Sequence, residues 1–114
     1  MASTVIYHNP KCSTSRKTLE LLRDKGIEPE VVQYLKTPPS RGELAGMISA
    51  AGIDVRAAVR KSEALYAELN LADASDDRLL DAMAEHPVLI ERPFVVTPKG
   101  TRLARPVDTV REIL

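Results

Sequence analysis

Cysteine is nearly absent from this chain, since Cys12 is the only one among 114 residues. A single cysteine cannot form an internal disulfide, and the first residues run into an apolar stretch without the features of a secretory leader. We therefore expect a protein of the reducing cytoplasm. No cysteines and histidines have the spacing of zinc ligands, so we expect no metal site. We also expect no bound cofactor.

Net charge and long apolar runs are also missing. The 16 basic residues balance 16 acidic residues, which leaves no general attraction for nucleic acid. The apolar runs are shorter than the ~18 residues that a membrane-spanning helix needs. Neither nucleic acid nor a membrane is expected as a partner, and any anion site must be built locally. Without heptads or an obvious apolar patch, a monomer is expected.

The pattern of apolar residues and breakers predicts a single α/β domain over residues 1–114. The order βα, βα, a helical block at approximately residues 40–88 and then ββα favours a mixed four-stranded sheet flanked by helices. The predicted elements outside the block are strands at Thr4–Tyr7 and Val31–Leu35, a helix at Ser13–Lys25, a hairpin around Thr97–Gly100 and a helix from Val107 to Leu114.

Capping signals divide the helical block into helices. Ser40 followed by Glu43 predicts a capping box at the start of a helix that ends at Gly52. Ser75 predicts the start of another helix, which runs to His86. Between them, short helices are expected at Val55–Lys61 and Glu63–Leu69.

Cys12 is expected at a strand-to-helix turn. Backbone N–H groups and the helix dipole at such a position favour a thiolate, which is a nucleophile. A buried cysteine with a purely structural role is the alternative, but the neighbours Lys11 and Arg16 make a polar, cationic setting. Cys12 and Ser15 form a C-x-x-S motif, so an outside thiol must resolve any disulfide. A tyrosine-phosphatase-like loop is excluded because Thr18 stands where that loop needs an arginine.

Three residues near Cys12 are expected to support it. His8 ends the first predicted strand, and a cationic imidazole there would lower the pKa of the thiol. The hydroxyl of Ser15 is a candidate donor to the sulfur, although a role as a polar residue of the helix start is equally open. Asn9 is expected to shape the turn.

Arginines are the candidates for an anion clamp, because a guanidinium binds oxyanions through two parallel hydrogen bonds. The candidates are Arg60, Arg92 and Arg105, of which the last two precede prolines at the outer ends of the predicted hairpin. The Arg92–Pro93 bond is a candidate cis peptide. The arginines expected to face water are Arg16, Arg41, Arg56, Arg78, Arg102 and Arg111.

Four motifs in order over nearly the whole chain resemble the glutaredoxin-dependent arsenate reductase family. They span residues 8–16, 34–39, 91–96 and 103–106. The resemblance implies a thioredoxin-like fold with an inserted helical block. Because the sequence ends at Leu114, soon after the last motif, whereas the best-known arsenate reductases of the family carry a longer tail, it is expected in a short, reductase-like branch.

The resemblance also implies roles for individual residues. Cys12 matches the family's nucleophile, and His8 and Ser15 match the groups that support its thiolate. Arg60, Arg92 and Arg105 match the arginines that hold the oxyanion, and Pro93 matches the cis-proline of thioredoxin-like folds. The implied reaction is attack of Cys12 on arsenate or a similar oxyanion, attack by glutathione as co-substrate, release of arsenite, and recycling of the mixed disulfide by glutaredoxin.

Two other functions stay open at this point. A monothiol glutaredoxin-like oxidoreductase acting on glutathionylated proteins would need Cys12 but not the arginines. A redox-related regulatory protein that binds RNA polymerase is also conceivable on this fold. Ser15 in place of a second cysteine argues against a disulfide switch of that kind.

Overall fold

The structure, a computed structural model, describes residues 3–114. It divides into two compact units, of which the first contains the chain up to Thr37 together with Arg92–Leu114, and the second contains Pro38–Glu91. The strands are β1 (Val5–His8), β2 (Glu30–Gln33), β3 (Phe94–Thr97) and β4 (Gly100–Leu103). The α-helices are α1 (Ser13–Asp24), α2 (Arg41–Ala50), α3 (Ala64–Glu68) and α4 (Asp76–Glu85).

The first unit is built on the expected mixed sheet. Its four strands lie in the order β2-β1-β3-β4, with β1 parallel to β2 and the other neighbours antiparallel. The β-branched and aromatic residues of β1 and β3 suit a central, buried position. β2 forms one edge, where Val31 stays 37% exposed. The prediction of a mixed four-stranded sheet flanked by helices is confirmed.

The core of the first unit joins the sheet to α1 and to the end of the chain. Its buried members are Ile6, Leu22, Val95, Ala104, Val110 and Ile113. α1 ends just before Gly26, whose φ of 79° supplies the left-handed conformation that stops a helix. The predicted final helix is a 3₁₀ helix at Val107–Ile113. Its two buried residues, Val110 and Ile113, are three positions apart, which matches three residues per turn.

One end of this sheet collects the segments that bear the predicted site. Parallel pairing places His8 opposite Gln33, and antiparallel pairing places Tyr7 opposite Phe94. The carboxyl ends of β1 and β2 therefore meet the start of β3. In the β3–β4 hairpin, Phe94 pairs with Leu103, so β4 ends there too. This end of the sheet is where the loop before α1 emerges.

The second unit is helical, and both capping predictions are confirmed there. The Ser40 hydroxyl accepts from the Glu43 N–H at 3.1 Å, while the Glu43 carboxylate accepts from the Ser40 N–H at 2.9 Å. Ser75 caps α4 through the N–H of Arg78. The predicted helix at Val55–Lys61 is shorter and is a 3₁₀ helix at Val55–Ala58. Further 3₁₀ turns lie at Leu71–Asp73 and Pro87–Leu89.

Arg56 does not face water as the sequence suggested. Its guanidinium is partly buried in the second unit and donates to the carbonyls of Leu71 and Ala74 and to the hydroxyl of Tyr66. Two of these bonds tie the 3₁₀ turn at Val55–Ala58 to the 3₁₀ turn at Leu71–Asp73 and the residue that follows it. The sequence cannot distinguish an arginine that faces water from one that binds distant carbonyls, because neither role requires a local sequence pattern.

The predicted insertion at approximately residues 40–88 lies within the range of the second unit. That residues 1–114 fold as a single domain stays a prediction. Within residues 3–114, no helix combines the length and the apolar character that crossing a membrane requires.

Candidate active site

Cys12 lies between β1 and α1, as expected, and is the residue that caps the helix. Its extended backbone precedes α1, and its carbonyl accepts the first helical hydrogen bond from the Arg16 N–H at 3.0 Å. The preceding turn is closed by the Asn9 carbonyl, which accepts from the Cys12 N–H at 3.0 Å. The Asn9 side chain accepts from the Lys11 N–H, also at 3.0 Å. These two bonds of Asn9 close the turn that precedes Cys12.

Two of the predicted arginines lie at the open end of the hairpin. Continuing the register of β3 and β4 places Arg92 opposite Arg105. The Arg105 guanidinium donates to the Arg92 carbonyl at 3.0 Å, and its Nη1 lies 4.0 Å from the Cys12 sulfur. The Arg92 side chain is 8% exposed and hydrogen-bonds to the same sulfur. The fold therefore brings two guanidinium groups to one thiol.

The thiol of Cys12 is an unusually strong acid for a buried cysteine. Burial raises its pKa, but the hydrogen bond and charge of Arg92 and the N–H groups of Ser15 and Thr14 outweigh that effect, so that the pKa falls to about 7. The N–H groups belong to the first turn of α1, where a helix has donors without intrahelical partners. Near neutral pH a large part of Cys12 is therefore thiolate.

The hydroxyl of Ser15 does not bond to the sulfur, contrary to one of the two expectations. It lies 2.6 Å from Nδ1 of His8 and accepts from the Asn9 N–H at 3.1 Å. Ser15 is completely buried. The side chain therefore joins the end of β1 to α1, and its support for Cys12 passes through its backbone N–H.

A cationic imidazole at His8 is not supported either. Burial lowers the pKa of His8 below its ordinary value, and the positive charges of Arg23 and Arg16 lower it further. The neutral form is therefore favoured near pH 7. His8 remains close to the site through Ser15, but it is not the cation that holds the thiolate.

Pro93 connects the arginines to the sheet. Its carbonyl accepts from the Ala104 N–H at 2.9 Å, which extends the hairpin beyond β3. The Arg92–Pro93 bond is cis, as the sequence suggested. The Arg105–Pro106 bond is cis as well, although no signal in the sequence predicts it.

Arg60, the third predicted arginine, belongs to the second unit. Its backbone N–H donates to the Leu89 carbonyl at 2.7 Å, and its Nε lies 3.5 Å from a carboxylate oxygen of Glu63. Its role toward an oxyanion stays a prediction. Among residues 3–114, no three His, Cys, Asp or Glu side chains form a group suited to a metal ion.

Comparisons with known proteins identify the family of the chain. The sequence profile described as the ArsC family matches residues 7–113. An arsenate reductase of Rhizobium meliloti (strain 1021) is 60% identical over 114 residues, covering 98% of this chain and 81% of that protein. An arsenate reductase of Escherichia coli (strain K12) is 55% identical over 116 residues, covering 100% and 82%.

A solved structure described as arsenate reductase from Vibrio cholerae is also similar. It superposes with a TM-score of 0.93 at 54% identity, covering 99% of this chain and 98% of that one. The expected thioredoxin-like fold is thereby confirmed. On its sequence and its fold, the chain belongs to the ArsC family.

Proposed function

We propose that this protein reduces arsenate to arsenite, with Cys12 as the nucleophile. The observation that carries the proposal is a thiol with a pKa of about 7 that two arginine side chains approach. Arsenate is an anion near neutral pH, so a thiolate that attacks it must overcome charge repulsion. Guanidinium groups reduce that repulsion and remain protonated throughout. Arsenate is proposed as the substrate because this chain is similar to arsenate reductases.

The first step forms a sulfur–arsenic bond. The Cys12 thiolate attacks As(V) of dihydrogen arsenate, and one arsenate oxygen, after taking up a proton, leaves as water. Arsenic stays pentavalent in this exchange. Arg92 and Arg105 are proposed to hold the remaining oxygens, since both side chains contact the sulfur to which the arsenic becomes attached.

The second step transfers electrons. The thiolate of glutathione attacks the Cys12 sulfur, forming a mixed disulfide, and the electron pair of the sulfur–arsenic bond leaves with arsenic. As(V) becomes As(III), which takes up protons and departs as arsenite. A thiol of glutaredoxin then attacks the glutathione sulfur and restores the Cys12 thiolate. The chain needs these outside thiols because Cys12 is its only cysteine.

The remaining residues have positioning roles in this proposal. Asn9, Ser15 and His8 fix the loop that presents Cys12, and Pro93 fixes Arg92 at the end of β3. The family resemblance adds Arg60 as a third arginine for the oxyanion. Substitution Arg60→Ala should then raise KM for arsenate; an unchanged KM would remove Arg60 from the site.

The test is NADPH consumption in the presence of arsenate, glutathione, glutaredoxin and glutathione reductase. Wild type should show arsenate-dependent turnover, and Cys12→Ser should show none, because a serine hydroxyl is not ionised near neutral pH. Arg105→Ala should raise KM for arsenate about tenfold, as expected for a charge-assisted hydrogen bond. Arg111→Ala is the matched control, since Arg111 is exposed and pairs with Asp108.

A monothiol glutaredoxin-like activity is the second candidate. It needs an acidic thiol, which Cys12 provides, but it gives no role to a pair of arginines at the sulfur. Reduction of a glutathionylated peptide that persists in Arg105→Ala, without arsenate turnover in wild type, would favour that function.

A further inference from the structure

A groove opens in the first unit beside the loop that carries Cys12. It has a volume of about 330 Å³ and is lined by residues 8–11 on one side and by Gln33, Leu35 and Lys36 on the other. This volume falls at the lower end of the ~300–1,000 Å³ typical of small-molecule sites. The groove contains none of the arginines assigned to the oxyanion.

The sheet topology creates this groove. β1 and β2 are parallel, and His8 and Gln33 are opposite each other at their carboxyl ends. Beyond β2 the chain turns back, because the Gln33 carbonyl accepts from the N–H groups of Lys36 and Thr37 at 2.9 and 3.0 Å. The loop that follows β1 and the turn that follows β2 therefore lie side by side and form the two walls of the groove.

The residues that line the groove carry a net positive charge. Two basic residues, Lys11 and Lys36, are among those that line the groove, and none of the lining residues is acidic. This is a local excess in a chain whose formal net charge is zero. Gln33 offers amide groups, and Leu35, which is 47% exposed, offers an apolar surface. These features suit an anionic ligand that also carries peptide groups.

The reaction requires such a ligand next to Cys12. The chain has no second cysteine, so the thiol that resolves the sulfur–arsenic adduct must arrive from solution. Residues 9–11 both line the groove and form the turn that ends at Cys12. Glutathione is a tripeptide with a carboxylate at each end, an ammonium group and a central cysteine thiol. Its carboxylates match the two lysines.

We infer that this groove binds glutathione, with Lys11 and Lys36 contacting its carboxylates, and that it delivers the glutathione thiol to Cys12. The inference rests on the proposed function for its chemistry and extends it by a binding site. A small thiol is preferred over a docked glutaredoxin because the lining residues form a groove of small-molecule size.

Binding is tested without turnover by titrating S-methylglutathione, which has no reactive thiol, into ¹⁵N-labelled protein. Backbone amide signals of Lys11, Gln33 and Lys36 should shift, and the shifts should weaken in Lys11→Met and Lys36→Met. Lys17→Met is the matched control, because Lys17 is an exposed lysine of α1 outside the groove. Shifts confined to other parts of the protein, or shifts that both variants retain in full, would overturn the assignment of this groove as the glutathione site.

Kinetics provide an independent measurement. Each lysine variant should raise KM for glutathione by up to about fivefold, the effect of losing one exposed ion pair. Lys36→Met, which is distant in sequence from Cys12, should leave KM for arsenate unchanged and should match wild type with 2-mercaptoethanol, an uncharged thiol. A raised KM for glutaredoxin with an unchanged KM for glutathione would reject the inference. Wild-type protein could instead show NMR shifts at the groove with S-methylglutathione and yet fail to reduce arsenate. That result would reject the proposed function and retain the groove as a glutathione site.

Discussion

The hydroxyl of Ser15 and Nδ1 of His8 lie 2.6 Å apart, and both side chains are buried. The same hydroxyl accepts from the Asn9 N–H, so one oxygen joins the last residue of β1, the loop and the first turn of α1. Cys12 lies within the segment that this oxygen closes. Its position is therefore set by contacts that do not touch the sulfur.

Ser15→Ala tests this arrangement. The substitution leaves the buried Asn9 N–H and His8 Nδ1 without this partner, so it should lower the free energy of unfolding by about 1–3 kcal/mol in urea. Because the Ser15 N–H remains, the pKa of Cys12 should stay near that of wild type. Ser13→Ala, at an exposed position of the same turn, should change stability by less than about 0.5 kcal/mol. A marked rise in the pKa of Cys12 would show that the hydroxyl acts on the sulfur directly.

The pH dependence of Cys12 alkylation should have its midpoint at about 7. An ordinary cysteine has a pKa of about 8.5, so the lowered value keeps thiolate present in more acidic solution. Below the midpoint, the rate with iodoacetamide should fall about tenfold per pH unit, because only the thiolate reacts. Cys12→Ser provides the blank. A midpoint above 8 would contradict the assigned environment of the sulfur.

Arg92 and Arg105 should differ in their effect on this midpoint. The Arg92 side chain is buried and lowers the pKa of Cys12 through a hydrogen bond and through its charge. Arg92→Ala should therefore raise the alkylation midpoint by about one unit or more. Arg105 is exposed and lies 4.0 Å from the sulfur, so Arg105→Ala should raise it less. Arg92→Lys keeps the positive charge and therefore separates the effect of losing the charge from the effect of losing the packing. Equal alkylation midpoints in all three variants would refute the larger effect on the pKa of Cys12 that is assigned to Arg92.

In the second unit, Arg56→Met should be strongly destabilising. It removes the donor to two carbonyls and a tyrosine hydroxyl while keeping most of the side-chain volume. The expected loss is about 2–3 kcal/mol in urea unfolding. Arg78→Met is the control, because the Arg78 side chain is exposed. Equal stability of the two variants would mean that solvent replaces the bonds of Arg56 without cost.

The parts of the fold that the sequence predicted are those that depend on local pattern. Two short segments that flank the turn at Thr97–Gly100 predict the pairing of β3 with β4, and continuing that pairing places Arg92 opposite Arg105. The capping box at Ser40 and the cap at Ser75 are equally local. The partner of the Ser15 hydroxyl was not predictable, because it depends on which of several nearby groups the folded loop brings within reach.

The protonation of His8 shows a second limit. The sequence places His8 four positions before Cys12, and proximity alone suggested a cation. Burial and the charges of Arg16 and Arg23 reverse that expectation, and both effects exist only once α1 packs on β1. Arg56 illustrates the same limit, since its carbonyl partners lie fifteen and eighteen residues away.

The open end of the hairpin has a consequence for the chain before it folds. Arg92 and Arg105 are encoded some eighty residues or more after Cys12, and the donors of α1 exist only when that helix has formed. In an unfolded or partly synthesised chain, the thiol keeps the ordinary acidity of a cysteine and is mostly protonated at neutral pH. Oxidants and electrophiles would therefore react slowly with Cys12 until the polypeptide is complete. The rate at which Cys12 is labelled would accordingly report on how much of a sample has reached its native structure.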